Sequence, residues 1–188
     1  MKIQFFLLAV ICCCSTLAAA QNTGAQNTGK PVLMMGGSYS KYEREVLRRD
    51  ILEPNELTFE DGGEFTSAEL WKSYSLVIVT HGLPALNERE IGWIQDYLND
   101  GGQLLLTGPV LNSLRALKGA DRDWLGADGY RVARGEGFAV TEAGQKFVPD
   151  AAAAQAVFGL ANSYAPAKLT TAQALVTKGG DAVLFRNS

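Results

Sequence analysis

Cysteine and histidine are scarce in this sequence, and their scarcity excludes several kinds of chemistry. The three cysteines are consecutive, at residues 12–14, and the only histidine is His81. Once the N-terminal segment is removed, the remaining chain has no thiol for a disulfide, a thiolate-bound metal or a cysteine nucleophile. One imidazole without thiolates does not supply the three or four ligands of a transition-metal site. We therefore expect no metal and no cofactor.

Clusters of positive charge and long apolar runs are also missing. The sequence has 17 basic and 20 acidic residues, for a formal net charge of −3. A mildly acidic chain without a basic cluster lacks the electrostatic footprint for nucleic acid or for an anionic membrane surface. The apolar run at residues 5–14 is shorter than the roughly twenty residues of a membrane-spanning helix. We expect neither a nucleic-acid partner nor a membrane span.

The first twenty residues are typical of a cleavable secretory signal. Lys2 provides the positive start, residues 5–14 the apolar region, and Ala18 to Ala20 the cleavage site. The alternative, a lipoprotein signal, needs a small residue directly before the modified cysteine, but Ile11 precedes Cys12. The sequence predicts a signal peptide over residues 1–20 and a secreted or periplasmic protein, from which all three cysteines are removed.

A polar leader follows the signal, and the folded part begins at Pro31. Residues 21–30 belong to a tandem Ala-Gln-Asn-Thr-Gly repeat, which is typical of a flexible segment. Residues 31–188 are predicted to form one α/β domain. The chain stops three residues after Phe185, which is abrupt for a sheet, so we expect the domain to be truncated at its C-terminus.

Strands and helices alternate after Pro31. Apolar or β-branched runs predict strands at residues 32–35, 57–59, 76–79 and 104–106. Between them, residues 42–52, residues 67–74 and a segment that begins at Asn87 are predicted to be helices. Strands separated by helices form parallel sheets with right-handed crossovers. The predicted fold is a doubly wound, mostly parallel, flavodoxin-like α/β sheet with a less regular C-terminal portion.

Two of these helices have an apolar stripe. In the first, the stripe consists of Tyr42, then Val46 or Leu47, then Ile51. In the segment after Asn87, where Glu90 has the spacing of a capping box, the stripe consists of Ile91, Ile94 and Leu98. A second capping-box spacing, at residues 66–69, predicts the start of the short helix.

Signals after Pro109 are weaker. Residues 130–133 and 138–140 are predicted to be short strands, which form a hairpin in one interpretation. Residues 151–158 are predicted to be helical. Residues 174–177 and 182–185 flank a Lys-Gly-Gly-Asp turn and are predicted to form a second hairpin.

Several of these segments together resemble a known superfamily. They are Trp71, the tyrosine-led strand at 74–79, the helix with Glu90, Ile94 and Leu98, and the Gly-Gly-Gln-Leu-Leu-Leu-Thr-Gly run at 101–108. Over residues 31–117 the chain resembles the class I glutamine amidotransferase-like superfamily, and most of all its ThuA-like and β-galactosidase trimerisation-like branches. The resemblance implies the fold rather than an activity.

The residues that carry catalysis in that superfamily do not match. Its catalytic members have a cysteine on the turn after the strand that residues 104–107 resemble, and a histidine and a carboxylate from late in the chain. Here that turn is Gly108-Pro109-Val110, and no histidine follows His81. Covalent acyl transfer requires a nucleophile with a base within hydrogen-bond reach. The resemblance therefore implies a fold without glutaminase activity.

Ligands of open parallel sheets bind beyond the carboxyl ends of the strands. At this edge the sequence places the candidate ligand-binding residues, which are Gly36, Gly37, Ser38, His81 and Gly108. The glycines at 36–37 offer backbone N–H groups to an anion, or simply form a tight turn. His81 is a candidate general base with Ser38 or Asp61, or else a histidine that only hydrogen-bonds its loop.

Two further site hypotheses concern calcium and aromatic residues. Asp121, Asp123 and Asp128 lack the EF-hand spacing for calcium. Three tryptophans are either sugar-stacking platforms or packed in the interior, and the pair Trp93 and Tyr97 is either a partly exposed patch for another subunit or domain or a packed flank. The tryptophans are Trp71, Trp93 and Trp124.

These observations favour an exported, non-catalytic amidotransferase-like module for binding or assembly, linked to carbohydrate processing. The expected partners are a small molecule or carbohydrate, and a protein partner or a second copy of the chain. One alternative is a hydrolase of small-molecule or carbohydrate substrates that uses His81. The other is a truncated remnant of a larger secreted protein.

Overall fold

The computed structural model describes residues 30–36, 41–81, 83–107, 123–129, 131–148, 150–158 and 164–187. The described residues up to 107 belong to one compact unit and those from 123 onward to another, named here the parallel unit and the antiparallel unit. No helix of the described part is long and apolar enough to cross a membrane. The predicted signal peptide and all but the last residue of the leader lie outside the described residues and stay predictions.

The parallel unit contains a four-stranded sheet of order β2-β1-β3-β4 in which all neighbours are parallel. Each of the four predicted strands has a counterpart, although β2 is shifted and contains only Phe59 of the predicted residues 57–59. The α/β class is confirmed for this part. The strand bounds are β1 Val32–Gly36, β2 Phe59–Asp61, β3 Leu76–Thr80 and β4 Gln103–Leu106.

The two central strands, β1 and β3, are buried along their whole length. They pair in register from Val32 opposite Leu76 to Gly36 opposite Thr80. Because both faces of a central parallel strand are covered, a continuous apolar run is favoured over an alternating one. This is the physical reason that the continuous apolar run at residues 76–79 indicates a strand.

The first helix, α1, changes its pitch part-way. It is α-helical over Lys41–Leu47 and π-helical over Arg48–Leu52, where the N–H of Glu53 donates to the Arg48 carbonyl at 3.0 Å. Val46 and Leu47 are buried, as are Ile51 and Leu52 five residues later. A spacing of five suits the i→i+5 bonds of a π turn. The predicted stripe is wrong at Tyr42, which is 56% exposed.

Two further helices pack on each other. A 3-10 helix spans Ala68–Ser73, and its N-cap is Ser67, whose hydroxyl accepts from the Glu69 N–H, so the predicted cap at residue 66 is wrong by one position. Helix α2 spans Glu88–Asn99, and the predicted capping box of Asn87 and Glu90 is confirmed.

Helix α2 buries a different third residue from the one predicted. Ile91 and Ile94 are buried, but the next is Tyr97 rather than Leu98, which is half-buried. Tyr97 packs edge-on against Trp71 with ring centroids 5.8 Å apart. Its hydroxyl donates to the Gln103 carbonyl at 2.8 Å and accepts from the Gln103 N–H at 3.1 Å. The polar handle of the ring thus ties α2 to the start of β4.

The antiparallel unit has a three-stranded sheet of order β11-β10-β7 and two short two-stranded ladders, β5-β9 and β6-β8. A 3-10 helix, Gly144–Lys146, and helix α3, Ala151–Phe158, accompany them. The strand bounds are β5 Ala127–Asp128, β6 Arg131–Val132, β7 Phe138–Val140, β8 Tyr164–Ala165, β9 Lys168–Leu169, β10 Gln173–Lys178 and β11 Asp181–Arg186.

The predicted hairpin at 174–185 and the helix at 151–158 are confirmed, whereas the other hairpin interpretation is wrong. β6 pairs with β8, and β7 pairs with β10. The separation has a visible cause in Asp181, a buried carboxylate at the start of β11. It accepts from the Arg134 N–H at 2.9 Å and from the Arg131 guanidinium, which holds the segment between β6 and β7 beside the β10–β11 turn.

Candidate functional site at the carboxyl edge of the parallel sheet

The carboxyl ends of the four parallel strands bring a set of polar residues to one edge of the parallel unit. Asp61 ends β2, Thr80 ends β3, and Thr107 directly follows β4. Helix α1 begins at Lys41, five residues after the last residue of β1, so its first turn belongs to the same edge. Loops and first turns at this edge are where open α/β sheets bind ligands.

Glu43 is the centre of the first group at this edge. Its carboxylate accepts from the Thr107 hydroxyl at 2.8 Å through Oε1, and its Oε2 lies 3.4 Å from Nε2 of His81. The Glu43 side chain is only 13% exposed, whereas that of His81 is 42% exposed. A carboxylate taken out of water needs such partners, because an unpartnered buried charge is costly. The group links α1 to the ends of β3 and β4.

Arg44 and Asp61 form the second group. The Arg44 guanidinium is almost fully buried, and its Nε donates to Oδ1 of Asp61 at 3.0 Å. The same oxygen accepts from the N–H of Gly63 at 2.9 Å. Asp61 keeps 49% of its side chain exposed, so this carboxylate is fixed in place while one side of it still faces solvent.

The backbone around His81 is held in an uncommon conformation. His81 has φ of +65°, in the left-handed region that few residues with a side chain adopt. The preceding residue is fixed by a buried hydrogen bond from the Thr80 hydroxyl to the Met35 carbonyl, 3.2 Å long. A strained residue at the end of a buried strand motivates a functional hypothesis for its side chain.

The structure describes only some of the site residues predicted from the sequence. His81 and Asp61 lie at the expected edge, where His81 contacts the Glu43 carboxylate and Asp61 pairs with Arg44. Gly36 ends β1, where its N–H donates to the Gly63 carbonyl at 2.9 Å. The predicted positions Gly37, Ser38 and Gly108 lie outside the described residues.

Glu43, Arg44 and Thr107 are the residues that sequence reasoning missed. Their position in the fold could have identified them, because the first turn of the helix after β1 and the residue after β4 both lie at the carboxyl edge of the sheet. Polarity in a first helical turn is so common that it draws no attention by itself.

The arrangement at Glu43 constrains the chemistry. The Thr107 hydroxyl donates to the Glu43 carboxylate, which also contacts His81, so one acidic side chain orients both groups. Among the described residues there is no group of three or more His, Cys, Asp or Glu placed to hold a metal ion. The calcium hypothesis includes Asp121, which lies outside the described part.

Burial decides which of the aromatic side chains could contact a sugar or another subunit. Trp71 and Tyr97 are fully enclosed and pack on each other, so neither is a sugar platform or part of an exposed patch. Trp93 is half-buried and lies under the Arg89 guanidinium, 4.7 Å from its ring centroid. Trp124 is half-buried as well.

Comparison of the chain with protein-family models, with curated proteins and with solved structures finds no match.

Proposed function

We propose that this chain is an exported, non-catalytic binding or assembly module of amidotransferase-like architecture, and that its ligand binds at the carboxyl edge of the parallel sheet. The observation that carries the proposal is the double engagement of Glu43 by His81 and Thr107. The only histidine of the sequence is thereby joined to a carboxylate whose other oxygen accepts from the Thr107 hydroxyl, which fixes both side chains at the edge of the sheet.

The strand order supports the architectural part of the proposal. The order β2-β1-β3-β4, with helical segments in the connections, is how a doubly wound flavodoxin-like sheet begins. Right-handed crossovers would then place α1 on one face and α2 on the other. The absence of cysteine after residue 14 is consistent with an amidotransferase-like fold that has no glutaminase chemistry.

The chemistry of the edge suits a small polyhydroxy ligand such as a sugar. It offers the partly exposed imidazole of His81 and the solvent-facing side of the Asp61 carboxylate, each already oriented by a charged neighbour. Sugar hydroxyls both donate and accept, so they match a carboxylate acceptor and an imidazole. We propose a carbohydrate as the ligand class, which agrees with the expected link to carbohydrate processing.

Nuclear magnetic resonance tests this binding with D-glucose, D-galactose and cellobiose as probes. We expect amide shift changes at residues 61–63, 80, 81, 83 and 107, and their loss in His81→Asn, which tolerates the left-handed backbone. Arg89→Gln, on the outer side of α2, is the matched control and should bind as the parent does. Shifts confined to other residues, or none with all three sugars, would contradict the proposal.

Hydrolysis is a second candidate function, favoured by the same Glu43–His81 contact. A carboxylate that orients an imidazole is the arrangement of a general base that activates water. The test is turnover of p-nitrophenyl acetate and p-nitrophenyl β-D-galactoside by the parent protein. Turnover that falls at least about tenfold in both His81→Asn and Glu43→Gln supports the enzyme, and turnover no faster than in buffer supports the module.

A further inference from the structure

The antiparallel unit contains a groove whose described lining residues all belong to this unit. Its cavity volume is about 300 Å³, which is at the lower end of the range for small-molecule sites. Three apolar and four polar residues line it: Ala143, Phe147, Leu175, Lys146, Thr171, Gln173 and Arg186. No acidic residue is among them.

The two walls of the groove are set by secondary structure. One wall is the β10–β11 hairpin, in which Gln173 is directly opposite Arg186, so their side chains lie side by side on the sheet. The other wall is the 3-10 helix with Lys146 and the following Phe147. The walls are held together at Gly144, where an added Cβ would lie 1.9 Å from the Leu175 carbonyl oxygen.

The polar side chains of the groove differ in how far they are already engaged. The Thr171 hydroxyl donates to Oδ1 of Asn187 at 2.9 Å, which orients its oxygen. Within the described part of the chain, neither Lys146 nor Arg186 takes part in an ion pair, although both are exposed. Glu142 precedes Ala143 in sequence but does not line the groove.

We propose that this groove binds a small ring-shaped carboxylate, with the carboxylate between Lys146 and Arg186 and the ring against Phe147. Two cations with no acidic residue among the described residues that line the groove favour an anion, and the planar guanidinium of Arg186 matches a carboxylate in bidentate geometry. Phe147 and Leu175 provide an apolar surface for the face of a ring. Gln173 and Thr171 are within the same groove to bind ring hydroxyls where the ligand has them.

Two classes of ring carry this chemistry, the uronic acids and the aromatic carboxylates, and four probes separate them. D-glucuronate and benzoate are titrated into the intact protein, with D-glucose and benzamide as their neutral counterparts, and binding is followed by amide shifts at Ala143, Phe147 and Gln173. We expect at least one acid to bind and to weaken as salt is raised, and its neutral counterpart to bind at least about tenfold more weakly.

Charge-removing variants locate the binding within the groove. Lys146→Gln and Arg186→Gln should each weaken the acid that binds by about tenfold, whereas Lys168→Gln, an exposed lysine of the same unit outside the groove, should not. Retained amide shift dispersion shows that each variant is folded. The proposal is overturned if neither acid binds, if acid and neutral counterpart bind equally, or if the two groove variants bind as the parent does. These readouts lie in the antiparallel unit, so they are independent of the sugar test at His81.

Discussion

Gly92, inside helix α2, and Gly102, just after it, differ in the space available for a side chain. A Cβ added at Gly102 would lie 2.3 Å from Cε2 of Tyr97, whose ring is enclosed and whose hydroxyl is tied to Gln103. A Cβ added at Gly92, inside the helix, would meet nothing within 4 Å. The same substitution therefore has opposite consequences at the two sites.

We expect Gly102→Ala to destabilise the parallel unit by about 2–3 kcal/mol, because overpacking displaces a buried ring. Gly92→Ala is the matched control and should stabilise it by about 0.5–1 kcal/mol, because alanine loses less backbone entropy in a helix. Hydrogen exchange at the amides of Val77 and Ile78, in the fully buried β3, measures both values. Equal effects of the two substitutions would show that Tyr97 moves aside.

The hydrogen bond between Glu43 and Thr107 is testable by a double-mutant cycle. With Glu43→Ala, Thr107→Val and the double variant, we expect a coupling of about 1–2 kcal/mol, since the acceptor is a largely buried carboxylate. The exposed pair Glu45 and Arg48 of the same helix is the control, and its coupling should be smaller because water screens it. A coupling of zero at Thr107 would remove the link between α1 and β4.

At the level of elements, the titration of Tyr97 affects the stability of the parallel unit, because helix α2 buries this side chain in the core. Burial raises the pKa of the Tyr97 hydroxyl from 10.0 to about 12. Because the folded protein holds this proton more tightly than the unfolded chain, the stabilisation is complete below pH 10 and is lost as the pH rises from about 10 to 12.

We expect the free energy of unfolding of the parallel unit to fall over this alkaline window, and Tyr97→Phe to flatten the fall relative to the parent protein. Urea unfolding at several pH values from 8 to about 12 gives both curves. Tyr74, whose pKa is raised by its hydrogen bond to Glu60, titrates nearby, so Tyr74→Phe is the control that removes its share. An identical slope in the parent and in Tyr97→Phe would show that the Tyr97 hydroxyl is not the group responsible.

Elements were predictable from the sequence where a local pattern decides them. The β3 run and the cap at Asn87 are examples, because burial on both faces and a side-chain cap each depend on few residues. The burial of Tyr97 in place of Leu98 depends on Trp71 and Gln103. The pairing of β7 with β10 depends on residues more than thirty positions apart, and no local periodicity specifies such a partner.

The candidate site was predictable to the level of the sheet edge and no further. His81 and Asp61 follow or end strands that the sequence identifies. Their partners Glu43 and Arg44 come from a helix face, and which face meets the edge depends on packing. Arg44 in particular is a charged residue on a helix that the apolar stripe alone would leave at the surface, yet it is buried.

At the scale of the whole molecule, the predicted removal of the signal peptide decides whether the mature protein has any thiol, because all three cysteines lie at residues 12–14. We expect the mature protein to begin at Gln21, because signal peptidase cleaves after small residues such as those at 18–20. Mass spectrometry of protein recovered from a secreting host measures the N-terminus, and thiol titration of the same unfolded sample should find none. A mature chain that retains residues 12–14 would contradict the cleavage and restore a nucleophile to the chemistry considered above.

The π-helical turn in α1 has a consequence for where single-residue deletions are tolerated among related chains. A π turn accommodates one residue more than an α turn, so a shortening by one position between Arg48 and Leu52 leaves a continuous α ladder in place of the i→i+5 bond at Glu53. Elsewhere in an α-helix the same loss would turn everything downstream by about 100°. We expect single-residue gaps in an alignment of related chains to concentrate at these five positions.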